Sequence, residues 1–577
     1  MSMSKNIARL AVTAGLTAAL SFGGVMAPVT MAFADGTTGS ITINKAAEDN
    51  KDNTFKAYQI FKSKVVDEER KGKVTSDIEW SSDTIGSKVI TAIKGSTQYK
   101  KIAKEDSTKE LADDAIAPVV AEWLSKNVMG TSASSADNGG TRVVPGDVLY
   151  EIAAAVADET PADNSIKVGT PWTRPDMNSD GHFGDGYYLF VSGDLKADKP
   201  NTGTSPIFAI VGGDPVTVTE KTSIPTVDKQ ILAPNNAWNN VGNSRINQDV
   251  DYKLTGTVAD NIASYTKYEY KFQDTLSKGL VVTKDAGTAT PKDLHVYIVN
   301  GDSKIEVKDG FKATVTAADD TQKNSELLTV SFEDLKAVKD ANGNIIAVNK
   351  DSNVVVTYKA HLTKDASYEA DGNTNTVKLV YSNNPMGKGT GTSTGKTVTD
   401  YVFRLDVTKI DSENQDKKLV AGFKVKVVAN EDNASVDKWL SADGSLVNEE
   451  QAYEFTTDKS TGKVYIPGLV AGTYQITETT TPAGYNTIAP VNITVNPQYE
   501  NGKLVGLTVE DNSGMVDSGD ATGATIPLTV KNKKGSGLPL TGLNGVTFTW
   551  IAGGAVLCIG VAHLIRSRKQ AEESERE

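Results

Sequence analysis

Through most of its length the chain alternates apolar and polar residues over short stretches. These are rich in Val, Ile, Thr and Tyr and are separated by Gly, Asn, Asp and Pro. Alternation with period two places one set of side chains on one face of a strand. Many short strands of this kind predict a mainly β fold class made of β-sandwiches. One stretch departs from the pattern. Between Lys109 and Val128, Leu111, Ala115, Val119, Val120, Trp123 and Leu124 recur at helical spacing. This predicts one amphipathic helix, inserted in the first domain.

The strand pattern breaks near Pro225, again near Thr397–Tyr401 after the Gly/Ser/Thr-rich run Gly387–Gly395, and at Lys533–Gly537. These breaks predict three units of ordinary domain size, 35–221, 222–400 and 401–533, flanked by segments 1–34 and 534–577. The first segment reads as a secretory signal. Lys5 and Arg9 precede an apolar run from Leu10 to Met26, and Ala32-Phe33-Ala34 puts small residues before Asp35. The competing reading is an N-terminal membrane anchor, but the run falls short of the ~20 residues a span needs.

At the other end Leu538-Pro539-Leu540-Thr541-Gly542 is followed by an apolar stretch from Val546 to Ile565, then by Arg566, Arg568 and Lys569. The stretch is long enough to span a bilayer, and basic residues directly after a span stay on the cytoplasmic side. An ordinary single-pass membrane protein would share these last two features. The whole order resembles a sortase cell-wall sorting signal. That resemblance implies export by a Gram-positive cell, cleavage between Thr541 and Gly542, and attachment to peptidoglycan at the cell surface.

Composition narrows the chemistry. Net charge is −13, which argues against nucleic acid as a partner. The only cysteine, Cys558, lies in the apolar C-terminal stretch, so the exported part has no means of forming a disulfide. Small extracellular domains often depend on covalent staples; any staple here needs other chemistry. His182, His295, His361 and His563 show no metal-ligand spacing, and no cofactor is implied. Asp176-Met177-Asn178-Ser179-Asp180-Gly181 imitates the start of a calcium loop, but the twelfth position is Tyr187 where a bidentate Glu is wanted. It reads as a polar turn.

The third unit carries the clearest candidate chemistry. Phe403, Leu405, Val407 and Lys409 share one strand face; so do Tyr474, Ile476 and Glu478; so do Ile526, Leu528, Val530 and Asn532. Three apolar faces therefore each continue into one polar residue. Burying a charge without a partner is expensive, so the three predict one another as partners. Apolar surroundings lower a lysine pKa and raise that of a carboxylic acid. A neutral amine can then attack the asparagine amide carbon while the protonated acid polarises the carbonyl; ammonia leaves and an isopeptide bond remains. Fixed proximity supplies much of the rate. Tyr474-Gln475-Ile476-Thr477-Glu478-Thr479, followed by Pro482-Ala483-Gly484-Tyr485, resembles the E-box of collagen-adhesin B-type domains. The resemblance implies these roles for Lys409, Glu478 and Asn532, with Glu478 as the catalytic acid.

The middle unit holds a looser trio. Val227, Lys229 and Ile231 share a phase, as do Tyr270, Phe272 and Asp274, and Asn375, Val377, Leu379 and Tyr381. Asp274-Thr275-Leu276-Ser277-Lys278-Gly279-Leu280 and Tyr381-Ser382-Asn383-Asn384-Pro385 resemble the isopeptide-forming middle domain of fimbrial major subunits. The resemblance implies a bond from Lys229 to Asn375, catalysed by Asp274, with Asn383 as the rival acceptor in the same phase. In the first unit Ile41, Ile43 and Lys45 are in phase, but no in-phase Asn or E-box accompanies them.

Joining subunits needs an exposed amine. On the strand 215–221, Val216 and Val218 share a face and Lys221 is out of phase with them, so Lys221 is expected to face solvent. Val216-Thr217-Val218-Thr219-Glu220-Lys221 partly resembles the V-x-V-Y-P-K motif of sortase-linked pilins, with Thr219-Glu220 replacing Tyr-Pro. Nearly the whole chain resembles the major subunits of sortase-assembled pili. The resemblance implies three tandem immunoglobulin-like sandwiches in a covalent homopolymer. Its partners would be identical subunits, sortase, peptidoglycan, minor pilins and surface receptors. A monomeric wall-anchored adhesin or minor pilin is the alternative. No nucleophile–base pair suggests an enzyme acting on outside substrates.

Overall fold

The computed structural model describes residues 39–535 apart from 69–71, 130–142, 175–183, 319–324, 512 and 514–515. The signal-like segment, the calcium-loop-like turn and the sorting motif with its apolar stretch lie outside the described residues. Among the described residues no helix is long and apolar enough to cross a membrane.

Strands dominate, and among the described residues the α-helices all lie between Asp83 and Val156. The first unit is layered. A five-stranded sheet is built from Thr54–Glu68, Gly72–Trp80, Asp163–Lys167, Gly186–Ser192 and Ile207–Val211. Alternation along Gly186–Ser192 sends Tyr187, Leu189 and Val191 to a helical layer, and Tyr188 and Phe190 to a small second sheet. That sheet pairs Ser40–Asn44 in parallel with Val216–Thr219. With both faces covered, every residue of Gly186–Ser192 is buried.

The helical layer corrects the sequence expectation of a single inserted helix. It contains α1 (Asp83–Gly95), α2 (Thr97–Glu105), α3 (Ala117–Leu124) and α4 (Val148–Val156). Ser82 and Ser96 cap α1 and α2 by accepting from the amides of Ile85 and Tyr99. The expected helix from Lys109 to Val128 starts only at Ala117. Pro118 explains the late start: it fits the first turn, where its missing N–H forfeits no bond, but not the interior of a longer helix. Leu111 and Ala115 are still buried, but from an irregular segment, while Val119 is 46 % exposed. Beyond Leu124 the chain continues as a π-helical turn, Ser125–Met129.

The middle residues form two seven-stranded sheets around one core. Four of their strands matter below: β1 (Val227–Leu232) and β3 (Ser352–Leu362) in one sheet, β2 (Tyr270–Leu276) and β4 (Asn373–Ser382) in the other. The third region pairs a four-stranded with a seven-stranded sheet around a separate core. Here β5 (Phe403–Asp411) lies parallel to the last strand, β7 (Thr525–Asn532), and β6 (Gly472–Thr480) belongs to the facing sheet. Arg245 crosses the junction of these two regions. It is buried, and donates from Nη1 to the Tyr474 hydroxyl at 3.1 Å and from Nε to Ser435 Oγ at 3.3 Å.

Candidate functional site

Every in-phase face described from the sequence of β1, β2 and β4 to β7 points inward, except at the edge residue Val227. Each polar residue that ends such a face is therefore carried into the core.

In the third region Lys409 and Asn532 are fully buried and Glu478 is 5 % exposed. The parallel register matches Lys409 with Val530 and Asp411 with Asn532, so Asn532 lies one same-face step beyond the lysine. Glu478 arrives from the opposite sheet and touches both. Its Oε1 is 3.1 Å from Lys409 Nζ, and Asn532 Nδ2 donates to Oε1 at 3.0 Å and to Oε2 at 3.2 Å. The lysine contact is a close ion pair without hydrogen-bond alignment, which leaves Nζ free of an aligned acceptor. Burial lowers the Lys409 pKa, with the Glu478 charge opposing the fall. The chain after β6 closes over the cluster. Ile488 N donates to Glu478 Oε2 at 3.0 Å, Asn532 Nδ2 donates to the Asn486 carbonyl at 3.0 Å, and the Tyr485 hydroxyl donates to Asp411 at 2.7 Å. Tyr485 and the residues beside it thus act as a cover.

The middle cluster has the same residue types in a different topology. Lys229 extends from one sheet, while Asp274 and Asn375 stand on neighbouring strands of the other, Asn375 opposite Leu276. Lys229, Asp274 and Asn375 are all fully buried. Lys229 Nζ lies 2.5 Å from both Asp274 oxygens, and 5.5 Å from the ring centres of Tyr252 and Tyr358. Burial pushes the Lys229 amine down to about 8 against the opposing pull of Asp274. Asn375 makes no hydrogen bond to Asp274 among the described residues; its Nδ2 donates instead to the Tyr358 hydroxyl at 2.8 Å. Asn383, the rival acceptor, lies elsewhere, with Nδ2 on Asn201 Oδ1 at 3.2 Å and its carbonyl accepting from Gly203 N. In both clusters the asparagine carbonyl oxygen, Asn375 Oδ1 or Asn532 Oδ1, is buried without a hydrogen-bond partner. That is costly in a core, and a half-turn of the amide would present it to a protonated donor.

Sequence phase did not find Tyr358, although Val354, Val356, Tyr358, Ala360 and Leu362 alternate on the buried face of β3 and the phenol was the visible polar group within that run. Asp400 was also missed. It is buried near Tyr252, its Oδ1 lacks a hydrogen-bond partner, and burial pushes its carboxyl up to about 7 against bonds from Ser244 and Tyr252.

In the first unit the phase of Lys45 does not carry it inward, and the expectation that Lys221 faces solvent needs correction. Lys45 follows the phase of Ile41 and Ile43, yet the strand ends at Asn44 and the side chain turns outward to pair with Glu48. Lys221 does not face solvent: its Nζ is buried and the residue is half-buried. The strand stops at Thr219, so strand phase does not govern Lys221. Its neighbour Glu220 is pulled into the protein, accepting from Asn50 Nδ2, Asn53 Nδ2 and Ala46 N at 3.0 Å each.

Residues 403–512 match the family described as SpaA: Prealbumin-like fold domain. No curated protein matches the chain by sequence. Solved structures to which it is similar include a Streptococcus pyogenes backbone pilin with a modular three-domain structure (14 % identity, TM-score 0.45, 88 % of this chain and 100 % of that one). The full-length major pilin SpaD of Corynebacterium diphtheriae is another (13 % identity, TM-score 0.40, 87 % and 99 %). A third is BcpA, the major pilin subunit of Bacillus cereus (19 % identity, TM-score 0.33, 64 % and 91 %).

Proposed function

We propose that this chain is the structural, shaft-forming subunit of a cell-surface pilus. It is stapled internally by two lysine–asparagine isopeptide bonds and joined to identical subunits by a sortase acting at Thr541. One observation carries the reading: in each of two successive sandwiches a fully buried lysine meets a buried acid, with a fully buried asparagine beside them, and Leu538–Gly542 resembles a sorting motif. Isolated buried charges would be a burden to the fold. As a reactant the lysine amine is consumed, and the acid is retained as its catalyst.

The chemistry is self-directed and happens once. The neutral Lys409 amine attacks the Asn532 side-chain carbon. Glu478, in contact with both partners, takes a proton from the nitrogen that attacks and returns it to the nitrogen that leaves. The C–N bond of the amide breaks and ammonia departs. Lys229, Asp274 and Asn375 are the corresponding group in the middle region. The two bonds brace different things. A Lys409–Asn532 bond ties the first strand of its unit to the last within one sheet. A Lys229–Asn375 bond ties one sheet to the other. Both resist the opening that tension along a fibre would drive.

Polymerisation uses the C-terminal motif: sortase breaks the Thr541–Gly542 bond and passes the Thr541 acyl group to a lysine amine of the next subunit. Lys221 is the proposed acceptor. Its buried Nζ means that the segment after Thr219 has to swing outward when the sortase complex docks. The experiment is expression in a Gram-positive host with a pilus-type sortase, read as ladders that survive boiling in detergent. Ladders from the parent and none from Lys221→Ala, with export and wall attachment intact, support the reading. Ladders that persist in Lys221→Ala move the junction to another lysine. The absence of ladders in every background favours the monomeric adhesin. Deleting Leu538–Gly542 is expected to stop both polymerisation and wall attachment.

A further inference from the structure

The two clusters differ in one structural respect that bears on how a proton reaches the leaving group. Glu478 spans its site alone, touching Lys409 Nζ on one side and Asn532 Nδ2 on the other. Asp274 is one methylene shorter. It meets Lys229 with both oxygens and has no hydrogen bond to Asn375. The gap is filled by Tyr358. Its hydroxyl donates to Asp274 Oδ2 at 2.5 Å, accepts from Lys229 Nζ at 3.1 Å, and accepts from Asn375 Nδ2 at 2.8 Å. One oxygen thus touches the nucleophile, the acid and the leaving nitrogen.

We propose that the Tyr358 phenol is a catalytic residue of the middle-region reaction, carrying the proton between Asp274 and the departing Asn375 nitrogen. The inference rests on the isopeptide reading above and deepens it. The proton balance requires such a group. As the C–N bond to Lys229 forms, the attacking nitrogen sheds a proton to Asp274. As the Asn375 C–N bond breaks, its nitrogen gains one and leaves as ammonia. Lys229, Asp274, Tyr358 and Asn375 are all fully buried, so bulk water is remote from the transfer. Tyr358 is the one hydrogen-bond partner of Asn375 Nδ2 among the described residues. Asp274 passes a proton to the phenol oxygen as the phenol passes its own to nitrogen, so Tyr358 ends unchanged. A phenol is a competent general acid–base group when it is held at hydrogen-bond distance. Tyr358 is held: it stands opposite Tyr252 in the sheet and its ring stacks on that tyrosine at 5.5 Å and 16°. The shorter acid and the added phenol together cover the distance that one glutamate covers in the third region.

The test is Tyr358→Phe in the full chain, which removes one oxygen and keeps the stacked ring. Cross-linked peptides from both regions are quantified by mass spectrometry over time after refolding. The Lys409–Asn532 peptide is expected to form as in the parent. The Lys229–Asn375 peptide is expected to form at least tenfold more slowly. Equal rates in parent and Tyr358→Phe overturn the proposal. A parent that never forms the middle cross-link overturns the isopeptide reading instead. Packing is separated from catalysis with Asn375→Ala, which lacks the bond but keeps the phenol, compared with Tyr358→Phe melted before its own bond has formed. Tyr358→Phe is expected to melt with Asn375→Ala; a much lower melting point makes the residue structural and defeats the catalytic role. In Asp274→Glu/Tyr358→Phe the longer acid should reach Asn375 directly and restore the bond. A folded double variant that stays uncross-linked refutes the bridging argument.

Discussion

Replacing Asn532 by Ala tests how much of the third region's stability is covalent. The substitution removes the acceptor but leaves Lys409 and Glu478 as a buried pair 3.1 Å apart, so no charge is stranded. The cross-link would join positions 409 and 532, 123 apart in sequence. Chain-entropy reasoning for a closed loop of that length gives about 5 kcal/mol of stabilisation, taken from the unfolded ensemble. In the cross-linked parent Asn532 Nδ2 has left as ammonia, and the variant also lacks the one N–H of the new amide beside Glu478, which adds about 1–3 kcal/mol because a buried partner is left unsatisfied. With an unfolding entropy of about 2 cal/mol/K per residue, a unit of this size should lose about 20–30 °C in melting temperature. Differential scanning calorimetry of the full chain resolves the transitions. The transition of the third region is expected to fall, and intact mass should lie one ammonia below the variant's own sequence mass, where the parent lies two below its own. If the cross-link is present in the parent and absent in Asn532→Ala, yet the transition moves by less than about 5 °C, the loop-closure argument is refuted. Glu478→Gln should lack the same bond and melt lower still, because it strands the Lys409 charge.

In Asn375→Ala the Lys229 amine stays free, with its pKa near 8 in the folded state against about 10.4 unfolded. Between those values the unfolded chain binds more protons, so stability should rise with pH from about 8 to about 10 and be flat below; urea unfolding across that range checks the sign. The rate of middle-bond formation in the parent should fall about tenfold per pH unit below about 8, as the neutral amine is depleted. Asp400 has the opposite sign. Its folded pKa of about 7 lies above the unfolded value, so its contribution is lost as pH rises from the acid side through 7, and Asp400→Asn should stabilise the chain at pH 8 more than at pH 5 in thermal melts. Lys45→Ala, at an exposed pair, should leave both intact mass change and melting temperature as in the parent; a lost ammonia elimination would place a third bond at that residue.

Strand phase carried the sequence a long way because period-two alternation fixes which side chains enter a core, whatever the partner strand. Lys229, Asp274, Asn375, Lys409, Glu478 and Asn532 were all legible as polar residues in phase with apolar faces, and all six are buried. Phase failed where the strand stopped. Asn44 and Thr219 end their strands, so neither Lys45 nor Lys221 follows the face that its neighbours define. The helical layer was half legible: Pro118 was a start signal inside the run assigned to one helix, and Ser82 and Ser96 were caps ahead of helices that the strand-dominated reading passed over. Only the tertiary structure decided between Asn375 and Asn383. Both share one phase on β4 and its extension, but the facing sheet brings Lys229 to one end of that strand, while the first unit's Asn201 meets the other. It alone placed Tyr358, contributed by a strand more than eighty residues beyond Asp274, between three reacting groups. A sequence states which face a residue occupies. Which residues meet across the core depends on how two sheets stack and twist, and that is set by the packing of the whole sandwich.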